Sequence, residues 1–239
     1  RQQLIVNNVD TVRQLILDAE RWIWAHPQTG YTEWQAHDYL VEKYEALGYT
    51  LVKAGNIPGF YTDVETGKPG PKVAIFGELD ALDIANHPES VNGMTHCCGH
   101  NAQMAALMGS AFALCDPEIK EALDGEVVFF AVPAEEFVEI EFKNQLMKDG
   151  KIRYGGGKSE LIRIGAFDDI DVAVGHHATI NADIQVINNT NNGFLNKIVH
   201  FYGVSSHAAD APYKGVDALN AATLAIQAIN MQQESYRDQ

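Results

Sequence analysis

The sequence has few cysteines and no long apolar run. Three cysteines among 239 residues, two of them adjacent, cannot build a regular disulfide framework, and their odd number fits a reducing compartment. No segment approaches the roughly 18 to 20 consecutive apolar residues of a membrane span, and no basic segment followed by an apolar one opens the chain. These deficits predict a cytoplasmic protein that makes no contact with a membrane.

Basic side chains are also scarce, at 17 against 32 acidic ones, which gives a formal net charge of -15. A surface of this sign repels phosphate groups, so it opposes nonspecific binding to nucleic acid or to an anionic membrane. With 46% hydrophobic residues, the chain can bury the core of one large domain or of one and a half. The composition therefore predicts a globular protein that binds no nucleic acid.

The first fifty residues predict two helices. Apolar positions within residues 12–23 recur at the i, i+3, i+4, i+7 spacing of an amphipathic helix, which we expect to stop near His26. Thr32 with Gln35 three residues later resembles a capping box and predicts a second helix that ends at Gly48. Two helices therefore lead the predicted fold.

Short apolar runs bounded by glycine and proline follow, at residues 72–76, 126–132 and 171–174. Such runs are typical of buried strands, and a predicted helix from about Asn101 separates the first two. Strands that alternate with helices predict an α/β fold, with a mostly parallel sheet flanked by helices. The polar segment 138–164 predicts an insertion of short helices around a flexible turn.

A second unit is predicted beyond the polar stretch 188–193, which has the composition of a linker. It offers one strand at residues 194–202 and one helix from about Gly215. One strand and one helix cannot bury a core alone. We therefore expect a first domain over residues 1–190, and over residues 191–239 the start of a smaller α+β domain that the chain leaves incomplete.

Acidic and imidazole side chains follow each of the three predicted strands. They are Glu78 and Asp80, Glu135 and Glu136, and His176 and His177. Because ligands in open α/β sheets bind outside the carboxyl ends of the strands, we expect these groups at one edge of the sheet. Asp80 is expected either to cap a turn or to orient a metal ligand through a hydrogen bond. One of the two histidines is expected to bind metal.

A metal site is the chemistry that these residue types favour. In Cys98-Gly99-His100 the two-residue spacing in extended backbone lets both side chains face the same way. Thiolate, imidazole and carboxylate together are the ligand set of Zn²⁺ or a similar ion. Adjacent Glu135 and Glu136 would be costly to bury unless a cation compensates their charge. If Glu136 binds the metal, Glu135 is left to carry a proton from a metal-activated water to the leaving amine.

These motifs resemble the dinuclear metallo-amidohydrolases, a family that includes aminoacylases, glutamate carboxypeptidase, hippurate hydrolase and aminobenzoyl-glutamate hydrolase. The matching segments are residues 77–82 (GELDAL), 96–101 (HCCGHN), 133–136 (PAEE), 165–177 and 203–212. Asn101 stands where many relatives carry an acid, as in the aminobenzoyl-glutamate branch, and Gln103 stands where a further histidine is common. The stretch from Glu136 to His177 is longer than in the simplest relatives.

The resemblance implies a zinc-exopeptidase-like catalytic domain with a two-metal centre, and a smaller lid domain through which the protein forms a homodimer. The implied metal ligands are Cys98, His100, Glu136 and His177, with Cys98 as the bridging thiolate. Glu135 is implied as the general base and acid, and His207 as the lid-domain contact to the substrate or the oxyanion. We place Asp80 with Glu135 among the expected catalytic residues, in its orienting role. The family supplies one more metal-binding histidine from a later segment, so the second metal site would be incomplete in this chain.

The implied cofactors are two divalent metal ions, with zinc favoured and manganese or cobalt as alternatives. The implied reaction cleaves the amide bond of an N-acyl amino acid, an aminobenzoyl-glutamate-like compound or a dipeptide through a metal-activated water, so the expected partner is a small carboxylate-bearing amide. Two alternatives stay open. One is a noncatalytic metal- or ligand-binding relative of the same fold, and the other is a thiol hydrolase or redox protein that uses Cys97 and Cys98.

Overall fold

A computed structural model describes residues 2–179, 184, 186, 193 and 196–235. The chain divides into two compact units, Arg1–Ala182 and Asp183–Gln239. The first unit contains the central five-stranded sheet and the helices that flank it. The boundary predicted at residues 190 and 191 lies outside the described residues.

Three helices lead the first unit, one more than the sequence pattern predicted. They are α1 (Gln2–Thr11), α2 (Arg13–Ala25) and α3 (Trp34–Ala46). The predicted amphipathic helix is confirmed as α2, which buries Ala19 and Ile23. The second predicted helix is confirmed as α3, and Gly48 follows it with a left-handed φ of 87°. α1 was missed because Asn7 and Asn8 interrupt its apolar periodicity, and none of its residues is fully buried.

The predicted capping box at the start of α3 is wrong. Glu33 precedes the helix and makes no side-chain capping bond. Thr32 Oγ1 instead donates to the Thr29 carbonyl at 2.7 Å, and the Gln35 N–H donates to Gln28 Oε1 at 2.8 Å. The turn that precedes the helix therefore occupies the groups that a capping box would use, and the Glu33 carboxylate is left for another contact.

The remaining elements of the first unit alternate short strands with helices. In chain order they are β1 (Val52–Lys53), β2 (Phe60–Glu65), β3 (Lys72–Glu78), β4 (Leu82–Asp83), β5 (Met94–Thr95), α4 (His100–Leu114), α5 (Pro117–Ala122), β6 (Glu126–Val132), α6 (Ile140–Lys148), α7 (Gly157–Arg163) and β7 (Val172–Gly175). The predicted insertion of short helices is confirmed as α6 and α7.

The main sheet has the strand order β1-β2-β6-β3-β7. The three predicted strands are confirmed as β3, β6 and β7, and β3 runs parallel to both of its neighbours. The predicted burial of the third run is wrong, because β7 lies at the edge of the sheet and its four residues are exposed. β2 pairs antiparallel with β6, and β1 pairs antiparallel with β2, so the sheet is mixed. β2 was missed because Thr62 and Asp63 dilute its apolar run, although its side chains alternate between buried and half-buried.

Both faces of the sheet are covered around β6. Phe129 of β6 lies in a buried cluster with Tyr44 and Phe60, together with α2, α3 and α4. Its neighbour Phe130 points to the other face, where it joins a second cluster that includes Leu161 of α7. Burial on both faces explains why β6 is a continuous apolar run rather than an alternating one.

The second unit holds α8 (Ala218–Asn230), which confirms the predicted helix. The Asp217 side chain caps it by accepting the Asn220 N–H at 2.9 Å. The predicted strand 194–202 is wrong over its described residues, 196–202, which form no strand. No described neighbour pairs with them, and the unit's described pairing is an isolated bridge between Val204 and Val216. The predicted linker lies outside the described residues apart from Gly193.

None of the helices in the described ranges is long and apolar enough to cross a membrane.

We expect Phe129→Ala to lower the free energy of unfolding by about 3–5 kcal/mol, because it leaves a cavity in the centre of the sheet. Phe129 is fully buried, and its ring lies 6.4 Å from the ring of Tyr44. Phe142→Ala, at an exposed position on α6, is the matched control and should change stability by no more than about 0.5 kcal/mol. Urea denaturation measures both, and equal effects would contradict this account of the core.

Glu160→Gln tests the contribution of a buried carboxylate in α7. Glu160 accepts the N–H groups of Arg153 and Tyr154 and pairs with Arg163. Burial opposes its charge, but these contacts outweigh burial and lower the pKa of Glu160 below its usual 4.5. The stabilisation is therefore present above pH 4.5 and is lost as the pH falls through the lowered pKa.

At pH 7 we expect the Gln variant to be less stable by about 1–3 kcal/mol. The difference from the native protein should shrink as the pH falls below 4.5. Urea denaturation at a series of pH values measures it, with the exposed-site variant Glu141→Gln as the control. A difference that grows toward acid pH would show that Glu160 is not held as a carboxylate.

Candidate metal centre

His100 lies at the centre of the candidate site, at the first position of α4. Gly99 before it has a left-handed φ of 96°, and a Cβ there would come within 2.9 Å of the Ala178 side chain. His100 is fully buried, and its Nδ1 lies 2.9 Å from the Asp80 carbonyl oxygen and 3.3 Å from Asp80 Oδ1. Because both of these atoms are acceptors, Nδ1 carries a proton and Nε2 is the ring nitrogen available to a ligand.

The charge around His100 is strongly negative. Burial opposes a charged ring, but contacts with the Asp80 and Glu78 carboxylates outweigh burial and raise the pKa of His100 to about 10. Nε2 lies 3.1 Å from Glu78 Oε2 and 3.9 Å from Glu135 Oε2. In the absence of a metal ion, an imidazolium therefore supplies positive charge at this position.

A thiol and two imidazoles form the first group of candidate ligands. Potential ligand atoms of Cys98, His100 and His177 all lie within 4.8 Å of one another, and Cys98 Sγ lies 3.4 Å from His177 Nε2. Nitrogen and sulfur atoms bonded to one tetrahedral zinc ion are separated by roughly 3.3–3.8 Å. Burial, followed by a hydrogen bond with Glu136, raises the pKa of the Cys98 thiol to about 12. The spacing of this group fits a shared cation.

The second group of candidate ligands consists of two carboxylates and His100, which also belongs to the first group. Glu78, His100 and Glu135 also have potential ligand atoms within 4.8 Å of one another. Burial opposes the charge of Glu78, but His100 and Lys158 outweigh burial and lower its pKa to about 2. Burial, and then the negative charge of Glu78, raise the pKa of Glu135. The two groups have His100 in common, and the predicted ligand Glu136 belongs to neither of these groups of described residues.

An unpartnered buried atom tests whether a cation fits. His100 Nε2 is buried against the Glu78 carboxylate at 3.1 Å, whereas Glu136 Oε1 is buried and has no hydrogen-bond partner among the described residues. A buried polar atom left in this state costs about 1–3 kcal/mol, and coordination to a cation would remove that cost. Thiolate, imidazole and carboxylate donors also match the preferences of borderline divalent ions. The residues present therefore fit a metal ion.

Asp80 connects the two halves of the site. It is almost fully buried, and its Oδ2 accepts the backbone N–H of Glu136 at 2.7 Å while Oδ1 lies against His100 Nδ1. The end of β3 is thereby joined to both α4 and the loop that follows β6. This geometry suits a residue that orients candidate metal ligands without binding the metal itself.

Gln103, at a position where relatives commonly carry a histidine, connects the end of β3 to His176. Its Oε1 accepts the Glu78 N–H at 2.8 Å, and its Nε2 donates to the His176 carbonyl. The His176 ring in turn lies with Nε2 3.1 Å from the Gln103 carbonyl. His176 therefore contacts the α4 backbone, while its neighbour His177 faces Cys98.

His207 lies in the second unit and is exposed. Its Nδ1 accepts the backbone N–H groups of Ala209 at 3.3 Å and Asp210 at 3.1 Å. The neutral ring consequently carries its proton on Nε2, which can act as a donor.

Two further charged residues belong to the site although the sequence patterns did not assign them a role. Glu78 was noted as a strand-end acid but not chosen as a site residue. Lys158 Nζ pairs with Glu78 and lies 3.9 Å from Glu135 Oε1. Packing requires the glycine before Lys158, because a Cβ at Gly157 would lie only 1.7 Å from the Pro133 carbonyl oxygen. This close approach brings the start of α7 against the loop that carries Glu135.

The fold and the donor set together have the features of metal-dependent amidohydrolases and metallopeptidases. Among curated proteins, a component chain of the p-aminobenzoyl-glutamate hydrolase of Escherichia coli is 30% identical over 233 residues, which are 93% of this chain and 44% of that protein. The Xaa-Arg dipeptidase of Mus musculus is 30% identical over 240 residues, which are 91% of this chain and 46% of the dipeptidase. The chain thus spans less than half the length of these relatives.

Solved structures agree on the fold. A dinuclear metal-binding peptidase of the M20 family from Bacillus subtilis matches 72% of this chain and 44% of its own, with a TM-score of 0.59 and 21% identity. No protein-family model matches the chain. The sequence relatives and this structural neighbour confirm the resemblance to dinuclear metallo-amidohydrolases and metallopeptidases that the motifs indicated.

We expect Zn²⁺ to raise the thermal unfolding midpoint of metal-free protein, because an ion that binds the folded state at 100 times its Kd adds about 2.7 kcal/mol of stability. Cys98→Ser should weaken this effect at least about 10-fold in Zn²⁺ concentration, since it removes a preferred ligand. Cys97→Ser, at the exposed neighbour, is the matched control and should behave like the native protein. Identical Zn²⁺ titrations for both variants would show that Cys98 holds no zinc.

Proposed function

We propose that the protein hydrolyses the amide bond of small carboxylate-bearing substrates: N-acyl amino acids, aminobenzoyl-glutamate-like compounds or dipeptides. The observation that carries the proposal is the position of Glu135. Its half-exposed carboxylate lies 3.9 Å from the buried His100 ring, beside a set of atoms suited to a cation, and its pKa is raised. A carboxylate with a raised pKa at the edge of a metal centre suits a general base.

In this proposal Cys98, His100, Glu136 and His177 would hold two divalent cations. Zinc is the first choice because of the thiolate, with manganese or cobalt as alternatives. When bound, such cations activate water and polarise the scissile carbonyl. Their charge also counters the overall net charge of -15, which would otherwise repel a substrate that carries a carboxylate.

Glu135 accepts a proton from the attacking water and delivers it to the leaving nitrogen, while the neighbouring groups hold it in place. Asp80 orients His100 and the Glu136 backbone, so it acts on position rather than on the proton. The Lys158 ammonium lies between Glu78 and Glu135 and balances part of their negative charge. These contacts keep the general base near the reacting atoms.

In the proposal, residues 191–239 form the start of a lid and dimerisation domain. His207 would donate from Nε2 to the substrate or to the oxyanion, a contribution typically of a few kcal/mol to the barrier. Exposed apolar side chains of α8, Leu219 and Leu224 among them, suit an element that packs against another surface and thus a homodimer. The cysteine usage of the chain suits the cytoplasm.

Glu135→Gln should lower kcat by about 10²- to 10⁴-fold, because the amide cannot transfer the proton, while Zn²⁺ still binds. Glu141→Gln, at an exposed position on α6, is the control and should keep the native rate. Release of free amine from N-acetyl amino acids and dipeptides measures turnover, and thermal shift with Zn²⁺ measures binding.

A native rate in the Glu135 variant would mean that another group is the base. A native protein that binds Zn²⁺ but cleaves none of these amides would instead support a noncatalytic relative of the same fold.

A further inference from the structure

The backbone on either side of Glu135 is held by four polar contacts. At Ala134, the N–H donates to Glu33 Oε1 at 2.7 Å, and the carbonyl accepts the Gly157 N–H at 3.0 Å. At Glu136, the N–H donates to Asp80 Oδ2 at 2.7 Å, and the carbonyl accepts a hydrogen bond from Lys143 Nζ at 2.5 Å. Both ends of this loop are strained, since Ala134 and Glu139 each have a φ of 51°. A non-glycine residue in this region costs roughly 1–2 kcal/mol, so the loop needs such contacts to keep its shape.

Lys143 is the unusual member of the four. The residue is 1% exposed, and Lys143 alone among the residues of α6 is buried. None of the carboxylates in the described ranges lies within the 4.0 Å of an ion pair with its ammonium. Burial of an ammonium without a paired charge is costly, so its retention calls for a compensating interaction. The Glu136 carbonyl is the hydrogen-bond acceptor that the described structure provides.

The surroundings of the ammonium fix its position. The aromatic rings of Tyr31 and Phe137 have their centroids 5.9 Å and 5.4 Å from Nζ, a distance suited to cation–π attraction. Gly30 also lies close to the ammonium, since a Cβ added there would lie 3.0 Å from Nζ and 2.9 Å from Ala134. Little space is therefore left for Nζ to move away from the Glu136 carbonyl.

We propose that Lys143 is a positioning residue, which holds the Glu136 carbonyl and thereby aims the Glu135 side chain toward His100 and the Glu136 side chain toward Cys98. This inference rests on the proposed function, because it assigns a purpose to a contact behind that same site. It also gives a role to α6, which lies in the longer stretch between Glu136 and His177. Groups that orient metal ligands in this way commonly change metal affinity or activity 10- to 100-fold when they are removed.

The test compares Lys143→Met with Lys148→Met, an exposed lysine on the same helix. Metal-free protein is titrated with Co²⁺ alone and followed by visible absorption, which reports the ligands and geometry of the ion. We expect Lys143→Met to weaken Co²⁺ binding about 10- to 100-fold, to alter the absorption bands, and to lower kcat more than it raises KM. Lys148→Met should match the native protein in all three.

Near-ultraviolet circular dichroism and the unfolding midpoint of the metal-free protein separate a loss of position from a loss of fold. If Lys143→Met does not fold, Lys143→Gln replaces it, because its amide fills the space but is one atom too short to reach the Glu136 carbonyl. The same weaker Co²⁺ binding and altered bands are expected. A folded variant with native Co²⁺ affinity and native bands overturns the inference.

Failure of the proposed function gives a different result. If the native protein neither binds Co²⁺ nor cleaves amides, the metal-dependent hydrolase is wrong. If the native protein does both and the Lys143 variants equal it, only the positioning role is wrong.

Discussion

The buried contact between Asp80 and His100 is the constraint on which the rest of the site depends. Asp80 follows β3 and His100 begins α4, so the two residues come from separate elements that the fold must bring together. One Asp80 oxygen fixes the His100 ring, and the other accepts the backbone N–H of Glu136. Imidazole and carboxylate donors are thereby aligned before any ligand arrives, which is the preorganisation that a metal centre requires.

The parallel strands supply the framework for this contact. β3 lies between β6 and β7, with Glu78 in register with Val132 and Phe76 in register with Gly175. The residues that follow the three strands therefore emerge at one edge of the sheet. The cost of gathering so much negative charge there is reduced by the His100 ring and the Lys158 ammonium, which lower the pKa of Glu78.

Sequence patterns predicted β3, β6 and β7 and the strand-end acids and histidines, because each strand is a short apolar run. Burial on two faces explains this run in β6, but not in β7, which is an exposed edge strand. The patterns missed β2, whose mixed composition hides its alternation, and they wrongly predicted a strand where the described second unit provides no pairing partner. Lys158 and Lys143 could not be found in this way. Lys158 is 80 residues from Glu78, so only tertiary packing brings these two together. Lys143 is only seven residues from Glu136, but it reaches that carbonyl through a turn that no sequence pattern marks.

Sequence patterns can identify candidate site residues, but they do not give the distances between the side chains. A motif can place Cys98 and His100 two positions apart, but the 3.4 Å between Cys98 Sγ and His177 Nε2 depends on the contacts of Gly99 and α4 with residues 176–178, which follow β7. X-ray absorption at the zinc edge tests this central claim most directly. The account predicts sulfur at about 2.3 Å and nitrogen or oxygen at about 2.0–2.1 Å, with the sulfur signal lost in Cys98→Ser. A zinc shell of nitrogen and oxygen alone in the native protein would contradict it.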